Sequence, residues 1–420
     1  MRKHDLIVVG GGLTGCAAAV SAARQGLSVL LLEQSGFLGG APGNCLINPF
    51  MPYWTHMTVA GKEQRVDLSA GIFKEIVDRL DAAGGLQGTM FHEEYLKLVL
   101  DRMTREAGVD VLLHVTLCGV KKENGGVHSV EVAGKSGKLN FSARYFIDCT
   151  GDADLAVMAG CPTHLGRPED HLCQPMTLCF RLANVDMDAY EKNRAKINPL
   201  YQRFQKEGKI KNPREDVLIF KHPVNHMLHF NTTRVVKLNP TDPLDLTRAE
   251  MDAREQMFEM LDFLKTNIAG FENAQIATSA PQIGVRESRM IDGVHVLTVE
   301  ELKNCTRFDD AIAAGNYDVD IHNPSGAGTS HYYFKEGEYY TIPYRSLQPL
   351  GADNLLVAGR CISSTHEAQA SYRILPIVTT LGEAAGIAAA VAAKEDKAVG
   401  EANIAEIQRI LRENGAFIGR

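Results

Sequence analysis

Three glycines near the start of the chain, spaced Gly-x-Gly-x-x-Gly, separate a short apolar run from an alanine-rich segment. Residues 6–9 are apolar and β-branched, which predicts a strand covered on both faces. Gly10, Gly12 and Gly15 follow, and residues 16–25 predict a helix ended by Gly26. A second apolar run, 28–32, ends at Glu33. This order is typical of a βαβ unit that binds a dinucleotide.

Each part of this unit has a separate physical role. Gly10 allows a tight turn, Gly12 lets the backbone approach a pyrophosphate, and Gly15 lets helix and strand pack closely. The unpaired N–H groups at the helix start favour phosphate charge. Glu33 is expected to accept hydrogen bonds from the ribose hydroxyls and to repel a 2′-phosphate, which argues against NADP. An ordinary βα turn with an exposed glutamate is the alternative.

Composition excludes several classes of protein. The 420 residues carry a net charge of −7 with 45% hydrophobic residues, which argues against disorder and against nucleic-acid or anionic-membrane partners. We find neither a signal peptide nor 18 consecutive apolar residues, so a cytoplasmic location is expected. The nine cysteines are dispersed and lack a CxxC pair, which predicts neither a disulfide framework nor a metal site.

Later segments extend the nucleotide-binding pattern. Residues 145–149 and 353–357 predict two further strands, ending near Thr150-Gly151 and Gly359-Arg360. Between 117 and 146 we predict a three-stranded meander with turns at 124–126 and 134–137. A helix is expected from about Pro376, with two glycines for close packing. We also predict a strand over 294–299 and a helix opened by a capping box at Thr247 and reaching about Asn267.

Several motifs together resemble the bacterial family of FAD-dependent oxidoreductases, within the glutathione-reductase and fumarate-reductase class of FAD-binding fold. They are residues 231–234, 284–289, 320–322, 342–347, 354–363 and 382–386. The resemblance implies FAD as cofactor, with its flavin end near the start of the Pro376 helix, whose positive end favours the negative charge of reduced flavin. The cofactor-binding residues it implies are Gly10, Gly12, Leu13, Thr14, Gly15, Glu33, Gln34, Gly39, Gly40, Leu117, Thr150, Gly151, Gly359, Arg360, Ile374 and Leu375.

The fold class is therefore expected to be α/β. A Rossmann-like FAD-binding domain, a parallel sheet with a β-meander, would comprise residues 1–50, 90–165, 275–300 and 340–400. A discontinuous α+β substrate or cap domain would comprise 51–89, 166–274 and 301–339, and residues 401–420 a C-terminal helix. A second Gly-x-Gly-x-x-Gly after a strand is missing from the sequence, which argues against a separate NAD(P)H domain.

Six residues are candidates for catalysis: Arg286, Arg289, His366, Arg373, Tyr344 and Cys45. An arginine near the flavin could hold a substrate carboxylate or stabilise reduced flavin, although Arg286 or Arg289 could equally pair with Glu287. A neutral histidine could take the substrate proton, and His229, His322 and His331 are further candidates beside His366. Tyr344 could donate a proton but more often such a residue packs, and Cys45 could be a reactive thiol if its loop faces the ring.

These observations predict hydride exchange between a small polar organic substrate and flavin N5, with dehydrogenation favoured. Reduction of an activated double bond and flavin-dependent monooxygenation are alternatives, as is a binding protein on a flavoprotein scaffold that has lost its flavin. Electrons would pass to an external acceptor or to oxygen. The sequence is also compatible with a homo-oligomer.

Overall fold

The computed structural model describes residues 4–59 and 61–419. The first part of the chain forms, in order, β1 (Leu6–Val9), α1 (Leu13–Arg24), β2 (Val29–Leu32), α2 (Ala41–Asn44), β3 (Trp54–Val59), β4 (Lys62–Asp67), α3 (Ile72–Ala82), β5 (Leu86–Gln87), β6 (Met90–Phe91), α4 (Glu93–Glu106), β7 (Asp110–Leu112), β8 (Thr116–Glu123), β9 (Gly126–Gly134), β10 (Gly137–Ser142) and β11 (Tyr145–Asp148).

The middle of the chain continues with α5 (Asp154–Met158), β12 (Thr163–Leu165), β13 (Phe180–Ala183), α6 (Met187–Asn193), α7 (Ile197–Lys206), β14 (Ile219–Lys221), β15 (Leu228–Phe230), α8 (Pro243–Asn267), β16 (Gln275–Ser279) and β17 (Arg289–Ile291). The last part forms α9 (Val299–Lys303), β18 (Ala311–Gly315), β19 (Val319–His322), β20 (Thr329–Tyr332), β21 (Tyr340–Pro343), β22 (Leu355–Val357), α10 (His366–Tyr372), α11 (Leu375–Glu395) and α12 (Ile404–Glu413).

A five-stranded parallel sheet organises the nucleotide-binding part, in the order β22-β11-β1-β2-β7. Its strands are buried on both faces. Leu6 and Val8 face a core shared with α1 and α11, whereas Ile7 and Val9 face the three-stranded meander β8-β9-β10. The α/β fold, the four predicted strands and the meander are thereby confirmed.

Helices α1 and α11 pack backbone to backbone. A β-carbon on Gly382 would lie 2.1 Å from the carbonyl oxygen of Thr14, and one on Gly386 would lie 2.2 Å from that of Ala18. The two contacts advance together along both chains, so the helices are parallel and both begin at the edge where the strands end. Since α11 starts at Leu375, seven residues before Gly382, its first turn extends about 10 Å beyond that contact.

A second, antiparallel sheet supports the cap region. Its order is β14-β15-β13-β16, and it packs one face on α6, α7 and α8 through an apolar core that includes the stacked rings of Phe180 and Phe230, 4.9 Å apart. The opposite face presents Cys179, Arg181 and His229, because residues alternate along a strand.

Two local predictions are wrong. Helix α8 begins at Pro243, with Asp242 as its N-cap, so Thr247 lies inside the first turns and its hydroxyl donates to the Pro243 carbonyl. An Asp-Pro start offers both a cap and a fixed φ and therefore precedes the capping box. Residues 294–299 do not form a strand, since Val294 and Val296 are exposed and the backbone makes only isolated bridges, at Gly293 and Leu297.

Two further helices pack in the core of the nucleotide-binding part. Helix α3, from the segment assigned to the cap, packs Ile72, Phe73 and Ile76 into the core beside α1 and α11. Within the described part of the chain, α11 is the one helix apolar and long enough to cross a membrane, and 94% of its apolar window is buried inside the protein. Its apolar character is thus explained by its central position in the core.

Candidate active site

The glycine turn between β1 and α1 has the conformations that its residues predict. Gly10 has φ of +100°, and a β-carbon there would lie 2.4 Å from the Cys149 carbonyl oxygen. A β-carbon on Gly15 would lie 1.8 Å from the Gly10 oxygen. At Gly12, by contrast, the only described atom within 4 Å of a β-carbon is the Gly40 Cα, at 3.9 Å. The backbone at Gly12 is therefore open to a ligand.

The start of α1 is suited to an anion. Gly12 is its N-cap, no side chain among the described residues caps it, and its first turn, which contains Leu13 and Thr14, has no acidic residue. The first N–H groups of a helix have no partner within the helix and carry partial positive charge. This donor set fits the pyrophosphate of a dinucleotide.

Glu33 is buried at the end of β2 and is fixed by the backbone. Its two carboxylate oxygens accept from Gly11 N at 2.6 Å and from Ser35 N at 2.7 Å. Each carboxylate oxygen retains a further lone pair, so Glu33 can still accept a hydrogen bond from a ribose hydroxyl. Gln34, the next residue, is exposed. Leu117 lies two residues after Val115, whose N–H donates to the Glu33 carbonyl at 3.1 Å.

The paired glycines after β2 cover the turn. Gly39 N donates to the Gly11 carbonyl at 2.8 Å, and Gly40, with φ of +61°, would place a β-carbon 2.8 Å from the Gly12 Cα. Only a glycine fits this approach of two backbones. Gly39 and Gly40 therefore form one wall of the predicted cofactor groove, next to Gly12.

A second group of predicted cofactor residues meets where β11 and β22 end. Gly359 has φ of +118° and lies beside Thr14, whose hydroxyl oxygen is 3.7 Å from the position of a β-carbon. Arg360 Nη2 donates to Asp152 Oδ1 at 2.6 Å. The Arg360 guanidinium also packs on Gly151, where a β-carbon would lie 2.7 Å from Nη1. Thr150 is held by Asp148. The structure thus brings Thr150, Gly151, Gly359 and Arg360 together.

The start of α11 provides a second open helix terminus. Ile374 is the N-cap without a side-chain hydrogen bond from the described residues, Leu375 and Pro376 open the helix, and its first turn has no acidic residue. Because α1 and α11 are parallel, both positive ends point to the same edge of the sheet. Two such ends about 10 Å apart along the groove fit a ligand with a diphosphate and a distant, electron-accepting ring.

Cys45 lies between this groove and the cap. Its thiol donates to the Ile283 carbonyl at 3.6 Å, and its β-carbon would be 3.5 Å from one on Gly284. Burial raises the pKa of Cys45 to about 12, so it is held as a neutral thiol. This favours packing over the reactive role considered from sequence.

Arg286 is surrounded by neutral acceptors. Its Nη1 donates to the Pro175 carbonyl at 2.7 Å and to Thr177 Oγ1 at 2.5 Å, and its Nη2 donates to Asn231 Oδ1 at 3.3 Å. None of the described carboxylates forms a salt bridge with it, so the expected alternative, a pair with Glu287, does not occur. Burial, with the nearby charges of Arg373, Arg214 and Arg234, lowers the pKa of Arg286 to about 9.

Arg373, immediately before α11, joins the same cluster. Its Nη2 lies 3.4 Å from Gln174 Oε1 and 3.7 Å from Asp320 Oδ2, while its Nε is buried without a partner in the described chain. The cluster holds four arginines, Arg214, Arg234, Arg286 and Arg373, against three carboxylates, Glu215, Asp216 and Asp320. Guanidinium groups gathered in this way are suited to bind an anionic ligand.

His322 is a fixed donor rather than a base. Its Nδ1 accepts from Arg234 Nη2 at 2.9 Å, so the proton lies on Nε2, which is 3.2 Å from Asp320 Oδ2. Burial, followed by the charge of Arg286, lowers the pKa of His322 to about 3. Although burial opposes it, the hydrogen bond from His322 and the charges of Arg373 and Arg286 hold the pKa of Asp320 well below its usual range.

His366 lies under the cluster, at the first turn of α10. Its Nδ1 is 2.7 Å from Glu287 Oε1, and both side chains are buried. The other Glu287 oxygen accepts from Gln174 N at 2.8 Å, and Gln174 contacts Arg373. His366 and Glu287 thereby form a buried pair behind Gln174, and a catalytic role for His366 stays a prediction.

Two catalytic candidates are engaged elsewhere. Arg289 pairs with Asp154 and donates from Nε to the Asp152 carbonyl at 2.9 Å. The Tyr344 hydroxyl, buried, donates to the Val399 carbonyl at 2.7 Å. The structure does not bring either to the arginine cluster. The Arg289 side chain, at the start of β17, is paired with an acid, and Tyr344 fills the core, so neither is placed for the chemistry considered from sequence.

A further cluster of buried polar side chains, Arg181, Glu93 and His229, was not predicted from the sequence. Arg181 donates from both Nη atoms to the two oxygens of Glu93 at 2.6 Å, and His229 lies opposite Arg181 on the neighbouring strand. Both ring nitrogens of His229 are buried and unpartnered among the described residues, and burial lowers its pKa to about 3. Within residues 4–59 and 61–419, no three His, Cys, Asp or Glu side chains are grouped to hold a metal ion.

The parallel sheet with its meander, the open glycine turn and the second helix terminus define a flavoprotein of the Rossmann-like, FAD-binding class. The chain belongs to the FAD dependent oxidoreductase family, because the sequence model of that family matches residues 5–411. It is accordingly an FAD-dependent enzyme, as predicted.

Relatives of known name cover part of the chain. A digeranylgeranylglycerophospholipid reductase of Thermoplasma acidophilum is 25% identical over 197 residues, 45% of this chain and 49% of that protein. A ferredoxin–NADP reductase of Lactococcus lactis is 27% identical over 146 residues, 34% of this chain and 44% of that protein. The matches thus span about half the length of these relatives or less.

Among solved structures, the p-nitrophenol 4-monooxygenase of Pseudomonas putida has a similar fold. Its TM-score is 0.50 at 10% identity, and the superposition covers 100% of this chain and 90% of that one. The likeness concerns the fold alone.

Proposed function

We propose that this FAD-dependent oxidoreductase dehydrogenates a small polar substrate whose carboxylate binds Arg286, with Arg373 beside it. The observation that carries the proposal is the half-buried Arg286 guanidinium, which is held by Pro175, Thr177 and Asn231 without a described carboxylate partner. A cation partly withdrawn from water is stabilised by an anionic partner. A substrate carboxylate would supply the missing charge and could accept two N–H groups at once.

The cofactor residues support the placement of this site. We propose that FAD lies from Glu33, past Gly12, to the start of α11, so that its ring lies near Arg373, the residue before the Ile374 cap. Bound FAD supplies a two-electron hydride acceptor. The chain then has to bind the substrate, orient its C–H bond toward the ring and keep water away from it.

Reduction of an activated double bond is the second candidate. The two named relatives favour it, because both are reductases, and they match 45% and 34% of this chain. In that direction the same arginines would bind a carboxylate conjugated to the double bond, and the chain would have to deliver a proton.

Stopped-flow spectroscopy under anaerobic conditions tests the proposal. Small carboxylates, such as propionate, lactate and alanine, are mixed with the FAD-loaded enzyme, and the visible flavin band reports both binding and bleaching. We expect Arg286→Gln to keep FAD and to lose about 10- to 100-fold in carboxylate affinity, as for a lost charge-assisted hydrogen bond. Arg345→Gln, at an exposed pair with Asp310, serves as the control. Unchanged affinity in Arg286→Gln would refute the proposal.

Several finer predictions remain part of this proposal. The reoxidant would be oxygen or an external carrier, and the domain boundaries and homo-oligomerisation stay predictions. A cytoplasmic location is supported by the nine free thiols, eight of which are buried or half-buried with raised pKa values, since dispersed reduced cysteines are typical of a reducing compartment.

A further inference from the structure

The hairpin β19-β20 gathers several polar side chains on one face beside the arginine cluster. Asp320 is directly opposite His331, and His322 is directly opposite Thr329. Residues two apart on a strand share a face, so the four side chains lie together. Two of them, Asp320 and His322, are buried, whereas the His331 side chain is 34% exposed. The face therefore leads from the buried cluster to solvent.

His331 has a defined tautomer. Its Nδ1 lies 2.6 Å from Asp318 Oδ2, and a carboxylate accepts but does not donate, so the proton is on Nδ1. In the neutral imidazole Nε2 then carries the lone pair, and it lies 3.7 Å from Asp320 Oδ1. A histidine oriented by a carboxylate in this way is suited to accept a proton, because the carboxylate stabilises the imidazolium that forms.

Asp320 offers the second acceptor. Its Oδ2 receives the hydrogen bond from His322 and lies 3.3 Å from the Tyr317 hydroxyl. Its Oδ1 is buried, and no described residue donates to it. A buried carboxylate oxygen without a donor is disfavoured by an amount that a ligand N–H or O–H could recover.

We propose that Asp320 Oδ1 and His331 Nε2 together bind the amino group of the substrate, which is therefore an amino acid or an N-substituted amino acid. Two acceptors 3.7 Å apart can be reached at once by an ammonium group, which has more than one N–H, whereas a hydroxyl has a single hydrogen to donate. The inference rests on the proposed function, because the carboxylate of the same molecule would bind Arg286.

The chemistry of amine oxidation gives each acceptor a role. An ammonium group has no free lone pair, so one N–H bond must break before the neighbouring C–H bond can deliver a hydride. His331 Nε2 takes that proton and passes it to water at the exposed edge, while Asp320 keeps the nitrogen in place. The C–H bond would then break with its hydrogen and electron pair passing to FAD, so the neutral amine would be oxidised by two electrons to an iminium ion and FAD would gain the hydride.

Matched pairs of substrates test the amine. Alanine is compared with lactate, and glutamate with 2-hydroxyglutarate, as single enantiomers, with propionate as the plain carboxylate. Binding is measured by the change in the visible flavin band without air, and oxidation by its bleaching. We expect the amino member of at least one pair to bind about tenfold or more tightly than the hydroxy member and to bleach the flavin faster.

Variants separate binding from proton transfer. Asp320→Asn should weaken binding of the amino acid about 10- to 100-fold and should not weaken binding of propionate, because it removes a negative charge from beside the arginines. His331→Gln, which keeps an acceptor but cannot carry a proton at neutral pH, should bind the amino acid within about threefold and bleach at least about 100-fold more slowly. His128→Gln, at an exposed histidine on the meander near Glu123, should match the wild type in both measurements.

The outcomes distinguish the two proposals. If no carboxylate perturbs the flavin, the proposed function fails. If carboxylates bind through Arg286 but hydroxy acids are preferred, or His331→Gln bleaches as fast as the wild type, the amine inference is overturned and the carboxylate site stands. Because His331 is at the surface, this variant is decisive even if Asp320→Asn fails to fold.

Discussion

Gly382 in α11 lies so close to Thr14 in α1 that a β-carbon at residue 382 would approach the Thr14 carbonyl oxygen to 2.1 Å. This contact fixes the two helix starts relative to each other. Together with the contact of Gly386 with Ala18, it therefore sets the distance between the predicted pyrophosphate and flavin ends of the groove.

Replacing Gly382 with alanine should push α11 away from α1. We expect a loss of about 1–3 kcal/mol in the free energy of unfolding, as for an overpacked core, together with weaker FAD binding. Urea denaturation in excess FAD measures the first effect and fluorescence of released FAD the second. Gly400→Ala is the control, because among the described residues its β-carbon would meet only the Gln348 side chain, at 3.6 Å from Oε1. Equal stability of the two variants would contradict the expectation.

Much of the nucleotide-binding fold is predictable because its signals are local. The strand at residues 6–9, the glycine turn and Glu33 lie within thirty residues, and each residue is required by the conformation of its own segment. The meander is announced by its two turns. Tertiary contacts change little of this, since buried parallel strands read as continuous apolar runs.

The substrate side of the site is less predictable, because its residues come from distant segments. Arg286 and Arg373 were identified singly, but their neighbours Arg214, Arg234 and Asp320 join them only through the fold. A local signal for the β19-β20 face did exist. Asp318, Asp320 and His322 alternate with apolar Val319 and Ile321, which is the period of a half-buried strand. Its opposite strand, with His331, could not be paired without the structure.

A comparison of two glycines separates cofactor binding from folding. Gly12 has φ of −64°, which alanine adopts freely, and a β-carbon there would have only the Gly40 Cα within 4 Å among the described atoms. Gly15 would place a β-carbon 1.8 Å from the Gly10 oxygen. Gly12→Ala should therefore leave the melting temperature without FAD unchanged, whereas Gly15→Ala should lower it.

Gly12→Ala should weaken FAD binding without unfolding the protein. In Gly12→Ala the added methyl group points into the space predicted for the pyrophosphate, so affinity should fall on the order of tenfold or more, about 1.4 kcal/mol. The ratio of flavin to protein absorbance after gel filtration measures this. Full FAD occupancy in a stable Gly12→Ala protein would show that the groove does not hold the pyrophosphate at this turn.

Glu383, fully buried on α11, makes stability depend on pH. It accepts the Ile72 N–H at 3.0 Å, and burial raises its pKa to about 7. An unfolded glutamate ionises near 4.3. As pH rises through the interval between these values, the unfolded chain loses the proton first, so the free energy of unfolding falls by roughly 3 kcal/mol and the loss is complete above the folded pKa.

Glu383→Gln should remove this dependence, because the amide keeps an acceptor for Ile72 and never ionises. We expect the variant and the wild type to unfold at similar urea concentrations at pH 4.5, and the variant to be more stable by roughly 2–3 kcal/mol at pH 8. Glu401→Gln, at an exposed residue, controls for the change in net charge. A difference between Glu383→Gln and the wild type that stays constant from pH 4.5 to pH 8 would mean that Glu383 is ionised in the folded protein throughout, held by Arg24 or by the start of α3.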